Sequence, residues 1–188
     1  EDARVLKVSY AGEKGFEIHV HNNSMKKIYD ELVQHGENFN LIHFGMLALD
    51  SMRLEKNYRS WKSDLTSDYT MLQSGLEKWI KFDKGNFIGK EALKNEFDLG
   101  TSKKFVTLVV DDPEDNKPFG EPVYLSPVFA GDDYLGPIVS SGYGHRVKKS
   151  ISMAILDDRN LNGLNDQLYI DVLGRKRKAY IAVSYTHL

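Results

Sequence analysis

The stretch Val5-Leu6-Lys7-Val8-Ser9-Tyr10-Ala11-Gly12-Glu13-Lys14-Gly15-Phe16-Glu17-Ile18-His19-Val20-His21 decides how the first half of the chain is read. Leu6, Val8 and Tyr10 alternate with polar neighbours. After the turn-forming Gly12-Glu13-Lys14-Gly15, Phe16, Ile18 and Val20 alternate with Glu17, His19 and His21. Period two on both sides of a glycine-bearing turn predicts a β-hairpin. Downstream, Asn23 or Ser24 can cap a helix whose Met25, Ile28, Tyr29, Leu32 and Val33 form one stripe, and Gly36 suits a left-handed C-cap. Residues 39–44 are a short apolar run. A second helix is expected over residues 46–56, followed by a polar, aromatic-rich loop over 57–70. The segment 75–80, a turn at 83–89 and a helix around 90–95 complete an α+β region.

The pattern changes near residues 98–104. Beyond it strands and turns remain, with no helical stripe. Strands are expected at 105–110, 121–125, 138–141, 151–156, 167–172 and 178–183. Asp112-Pro113, Lys117-Pro118-Phe119-Gly120, Asn162-Gly163 and Leu173-Gly174 punctuate them. Short strands at this spacing predict a small antiparallel barrel or sandwich. The fold class is therefore an α+β domain followed by an all-β barrel domain.

Composition narrows the function. The 188 residues carry 25 Lys+Arg and 27 Asp+Glu, a formal net charge of -2, so no strongly basic field favours nucleic acid as a partner. Zero cysteines exclude disulfides, thiolate zinc sites, Fe–S clusters and cysteine nucleophiles within these residues. No apolar run approaches the ~20 residues of a membrane-spanning helix, and no leader segment is visible. Both ends read as cut. The chain lacks an initiator Met, and its last strand stops without a closing element.

Several motifs have plain readings. His19 and His21 are two apart on one strand face but lack further ligands at useful spacing, so no metal is expected. Gly85-Asn86-Phe87-Ile88-Gly89-Lys90-Glu91 has too short a glycine spacing, and Glu91 stands where a P-loop needs Ser or Thr. Neither G-x-G-x-x-G nor G-x-S-x-G occurs. Gly142-Tyr143-Gly144-His145-Arg146 reads as a tight turn with a basic tip, and Gly174-Arg175-Lys176-Arg177-Lys178 as a solvated hairpin turn.

Four phrases in order resemble the glycine-cleavage T-protein (aminomethyltransferase) family. They are Tyr10-Ala11-Gly12-Glu13-Lys14-Gly15-Phe16-Glu17-Ile18, Ala48-Leu49-Asp50-Ser51-Met52-Arg53-Leu54-Glu55-Lys56, Asp64-Leu65-Thr66 with Leu72 and Gly75-Leu76, and Phe82-Asp83-Lys84-Gly85-Asn86-Phe87-Ile88-Gly89-Lys90-Glu91-Ala92-Leu93. The family includes stand-alone aminomethyltransferases and the C-terminal halves of flavin-dependent dimethylglycine and sarcosine dehydrogenases. Three features are similar to the second branch: Leu49 before Asp50 where stand-alone enzymes commonly carry Arg, Glu55-Lys56-Asn57-Tyr58-Arg59-Ser60-Trp61, and the segment from Ser140 to Ser150.

The resemblance implies tetrahydrofolate as ligand. The hairpin Tyr10 and Glu17 would line the pterin site, with Tyr58 and Trp61 as further aromatic candidates. A pterin presents a guanidine-like N–H edge to which a carboxylate can accept two parallel hydrogen bonds, and aromatic rings stack on its faces. The family's catalytic carboxylate belongs upstream of Glu1, as does any FAD-binding half, so no catalytic residue is assigned; Asp50, Asp64 and Asp68 are not substitutes. The expected division is residues 1–97 as the C-terminal part of the folate-binding domain, 98–183 as the C-terminal barrel, and 184–188 as a non-native tail. The partners implied are folate and a missing N-terminal half, with no nucleic acid or membrane. The implied location is the cytoplasm, or the mitochondrial matrix if eukaryotic. The chain is expected to be inactive alone. A stand-alone aminomethyltransferase, a sulfonium demethylase and a non-catalytic folate-binding module remain alternatives.

Overall fold

The computed structural model describes residues 2–111, 122–158, 161 and 168–182. The chain divides into two compact units, residues 1–58 and 59–188.

In the first unit, β1 (Ala3–Leu6) pairs antiparallel with β2 (Glu17–Val20), Leu6 opposite Glu17 and Ala3 opposite Val20. The hairpin is shorter than its alternation predicts. Val8 N–H donates to Leu6 O at 3.0 Å, which turns the chain out of the ladder directly after β1. Val8 and Tyr10 thus lie in the connecting loop. Helix α1 (Asn22–Gly36) starts after the extended His21, with Asn23 and Ser24 inside it rather than capping it. Gly36 keeps α-helical backbone, and the left-handed residue is Asn40, after a 3-10 turn over Glu37–Phe39. Packing explains the glycine instead: a Cβ on Gly36 would lie 2.5 Å from Leu41 Cδ1. Helix α2 (Met46–Glu55) matches its expected span to within a residue.

The second unit opens with a looped segment containing a 3-10 turn over Glu77–Trp79, then helix α3 (Lys90–Leu99). Among the described residues six strands follow: β3 (Lys103–Val110), β4 (Pro127–Ala130), β5 (Asp133–Gly144), β6 (Lys149–Asp157), β7 (Leu168–Val172) and β8 (Arg175–Ile181). They form a closed antiparallel barrel in the order β3-β6-β5-β4-β7-β8, completed by pairing of β3 with β8. Closure removes the free edges that an open sheet would expose. The interior is filled by alternate residues, Val106, Leu108 and Val110 on β3 and Leu168, Ile170 and Val172 on β7 among them.

The strand expected at 121–125 is displaced. Residues 122–125 form a turn in which Val123 N–H donates to Ser126 Oγ at 3.0 Å and Leu125 is left-handed. The strand begins at Pro127 instead, with Val128 between Gly136 and Ile170. Residues 121, 167 and 183, the turns expected at 112–113, 117–120 and 162–163, and the tail at 184–188 lie outside the described residues. The basic cluster before Ala179 is not simply a turn. Leu173 and Gly174 make the turn, and Arg175–Lys178 begin β8, so alternation buries Arg177 while Lys176 and Lys178 stay exposed.

Residues on the other face of β3 and β6 are also buried, Phe105, Val109, Ile151 and Met153 among them. Part of this cover comes from the looped segment of the same unit. The Arg59 guanidinium sits 4.1 Å from the Phe105 ring centroid. It donates from Nε to Ser74 O at 2.7 Å and from Nη2 to Gly75 O at 3.1 Å. Burial lowers the Arg59 pKa, partly offset by the nearby Glu77 and Asp64 charges. The Ser140 hydroxyl on β5 donates to the fully buried Asp64 Oδ1, and Ser60 N–H donates to Asp64 Oδ2 at 2.6 Å. No helix among the described residues is long and apolar enough to cross a membrane.

Candidate functional site

The structure brings two of the four expected site residues into ring contact. In the first unit, Tyr10 in the β1–β2 loop and Tyr58 beyond α2 stack with centroids 6.4 Å apart and planes at 22°. Each side rests on local chemistry. Arg53, buried in the last turn of α2, donates from Nε to Asp50 Oδ1 at 2.6 Å and from Nη1 to Tyr58 O at 3.0 Å. Tyr58 N–H in turn donates to Arg53 O at 2.9 Å, and Asn57 between them takes a left-handed conformation. The chain therefore leaves the helix in a fixed direction.

The loop side is held by Lys56. Gly12 has φ 75°, and a Cβ there would lie 2.3 Å from Lys56 Cγ. The Lys56 stem thus lies directly over the glycine, and Nζ reaches Glu13 Oε1 at 3.3 Å. Lys56, Glu13 and Arg53 as supports of the tyrosine pair were not found by sequence reasoning. Gly12 in a turn was the sole signal, and nothing in the sequence names the side chain that fills its empty position.

Glu17 opens β2 with an exposed carboxylate, its Oε2 3.2 Å from His19 Nε2. His19 pairs in register with Arg4 on β1. His21 has left the strand and precedes α1. Among the described residues no group of three His, Cys, Asp or Glu side chains could hold a metal ion.

Trp61 belongs to the second unit. It makes an isolated parallel bridge with Leu65, is 77% exposed, and lines an open hollow of ≈ 400 Å³ with Lys62, Leu65, Thr66 and Ser67. Nearby, burial and the Asp68 carboxylate raise the Tyr69 phenol above its ordinary pKa, with smaller contributions from Tyr134 and Tyr124. The carboxylates of the chain's middle have structural partners: Asp50 holds Arg53, Asp64 is buried on Ser60 and Ser140, and Asp68 accepts from Thr66 Oγ1 at 3.0 Å.

Comparison with known proteins adds the family. The GCVT N-terminal domain model matches residues 1–84, and the glycine cleavage T-protein C-terminal barrel domain model matches residues 103–185. The chain belongs to the glycine cleavage T-protein family. Within that family, an aminomethyltransferase from Pseudothermotoga lettingae is 32% identical over 177 residues, covering 94% of this chain and 46% of the relative. Human mitochondrial dimethylglycine dehydrogenase is 29% identical over 181 residues, covering 94% of this chain and 20% of that protein. The crystal structure of glycine cleavage system aminomethyltransferase T from Bartonella henselae superposes with a TM-score of 0.79 at 20% identity, covering 96% of this chain and 49% of the other. That likeness shows the fold: a small part of helices and strands with a closed six-stranded barrel. The chain spans about half the length of the aminomethyltransferase relatives and a fifth of dimethylglycine dehydrogenase.

Proposed function

We propose that this chain is the C-terminal, tetrahydrofolate-facing portion of a one-carbon enzyme that demethylates dimethylglycine or sarcosine and passes the carbon to folate. The observation that carries the reading is the stacking of Tyr10 on Tyr58. Two motifs that both resemble the family's, 48 positions apart, supply flat rings side by side. The residues fit the ligand's chemistry. The rings offer faces for a pterin, and Glu17 offers a carboxylate for its N–H edge. Tyr10, Glu17 and Tyr58 of the first unit are the proposed folate-binding residues, and Trp61 of the second unit is a further aromatic candidate taken by itself. When bound, tetrahydrofolate supplies the nitrogen nucleophile that accepts the one-carbon unit.

In this reading residues 1–97 complete a folate-binding domain, 98–183 form the capping barrel, and 184–188 are a non-native tail. The catalytic carboxylate and any FAD site lie in preceding residues of a longer protein. It acts in the bacterial cytoplasm, or in the mitochondrial matrix of a eukaryote. Leu49 before Asp50 and the Glu55-Lys56-Asn57-Tyr58-Arg59-Ser60-Trp61 phrase favour the dehydrogenase branch. A second reading, a stand-alone aminomethyltransferase, is supported by relatives of that name at up to 32% identity. A strand–G-x-G-x-x-G–helix unit several hundred residues upstream supports the first, and its absence the second.

Calorimetric titration of the full-length protein with 5-formyltetrahydrofolate tests the site. Glu17→Ala should weaken binding by roughly 10-fold or more, the value of charge-assisted hydrogen bonds to one carboxylate. Equal affinity for both proteins removes the assignment.

A further inference from the structure

Residues 7–16, which join β1 to β2, belong to no strand or helix. Tyr10 has no ladder to hold its ring, yet the ring stacks beside Tyr58 with planes at 22°. A loop side chain keeps one position only where contacts fix the loop. The Tyr58 side is well fixed. It follows the last turn of α2, where Leu54 is buried and Arg53 donates from Nη1 to Tyr58 O at 3.0 Å. Lys56 closes that helix, its N–H donating to Arg53 O and Leu54 O. From this firm end its side chain crosses to the loop.

The crossing is made by carbon more than by charge. Cγ, Cδ and Cε of Lys56 all lie within 3.0 Å of the place that a Cβ on Gly12 would take, so the stem packs on the glycine backbone. Nζ then reaches Glu13 Oε1 at 3.3 Å, but the two side chains are 30% and 61% exposed, and an ion pair that open contributes little. The aliphatic stem of a lysine packs as an apolar group while its head stays in water. Gly12 stands two residues after Tyr10, and Lys56 two residues before Tyr58. The stem contact and the ring contact are thus neighbouring rungs between the same two segments, which run in opposite directions. Closing one rung holds the other in place.

We propose that Lys56 is a positioning residue: its aliphatic stem, packed on Gly12, holds the Tyr10 ring beside Tyr58 in the ligand-free protein. The consequence for binding rests on the reading of the two rings as a folate-binding pair. A pterin then meets a preformed site and does not have to order the loop as it binds. Without the stem Tyr10 samples other positions, and the apparent affinity falls by the fraction of time the ring is in place. Gly12 serves the same contact. A side chain there takes the space of the stem, and a φ of 75° disfavours it further.

The test uses the full-length protein and three variants. Lys56→Ala removes the stem beyond Cβ, Gly12→Ala displaces it, and Lys56→Met restores an apolar stem without the charge. Calorimetry with 5-formyltetrahydrofolate should show affinity lower by about 5-fold or more in both alanine variants, and most of it recovered in Lys56→Met. Lys56→Ala should keep the urea midpoint of the parent, since the side chain is partly exposed at a helix end. A second readout needs no ligand. Lys14 lies in the same loop, and trypsin reaches its peptide bond when the loop opens. Cleavage after Lys14, followed by mass spectrometry, should be about 5-fold faster in Lys56→Ala and return towards the parent rate in Lys56→Met. Unchanged affinity or unchanged cleavage in Lys56→Ala overturns the proposal, as does an affinity loss that merely follows a lowered urea midpoint. Failure of Lys56→Met to recover either readout also overturns it, because the ion pair would then be the holding contact. A parent that binds no folate, with cleavage responding as expected, counts against the folate reading alone.

Discussion

At the scale of single residues, two glycines show how a side chain's absence organises this fold. At Gly136 on β5, φ is 152° and a Cβ would lie 2.2 Å from the Ile155 carbonyl oxygen on the neighbouring strand. Gly136→Ala combines backbone strain with overpacking, and should destabilise the barrel by about 3 kcal/mol. The check is a lower urea midpoint at unchanged slope. Gly12 was recognisable in the sequence as a turn residue, because glycine between two alternating stretches has few other uses. The Lys56 stem that fills its empty position was not recognisable, since residues 44 positions apart meet only through tertiary structure. Glu17 and Tyr58 were picked out as types and positions by resemblance. The support of Tyr58 by Arg53 came from the geometry of the helix end.

At the scale of elements, the looped segment after residue 58 is joined to the barrel by polar contacts rather than by regular pairing. Asp64 accepts from Ser60 N–H and from the Ser140 hydroxyl while fully buried. Asp64→Ala leaves both donors without their acceptor and should cost about 3 kcal/mol, whereas Ser140→Ala removes one partner and should cost about 1 kcal/mol. Paired urea titrations of the two variants decide the order; an equal or reversed cost would show that the Asp64 carboxylate is not the hub. Helices α2 and α3 and strands β3, β6 and β7 were legible because their apolar patterns are strong. The strand at Pro127–Ala130 was not. It is four residues long, begins with a proline and follows a serine-centred turn, so local preference placed the strand on the apolar residues just before it. The Arg175–Lys178 cluster misled for a related reason. Four consecutive cations look like a solvated turn, but strand alternation carries Arg177 inward.

At the scale of the whole molecule, the two units differ in how much they bury. The barrel encloses its own core, and the first unit leaves most of its apolar side chains open. If the chain is the C-terminal portion of a longer enzyme, it lacks the upstream carboxylate. The isolated 188 residues should then form no 5,10-methylenetetrahydrofolate from a methylene donor above the uncatalysed rate, followed by absorbance of the folate product. Turnover by these residues alone would refute that division of labour.

The sequence by itself determined the class of architecture, an α+β part followed by antiparallel strands, because hydrophobic period and turn chemistry act over a few residues. It also carried the family resemblance, since the motifs are contiguous. Tertiary structure alone decided that the six strands close into a barrel, that Tyr10 meets Tyr58, that Lys56 covers Gly12, and that the first unit is left open. Those outcomes depend on which distant surfaces pack together, and the burial that drives such packing is non-directional and leaves no local mark in the order of residues.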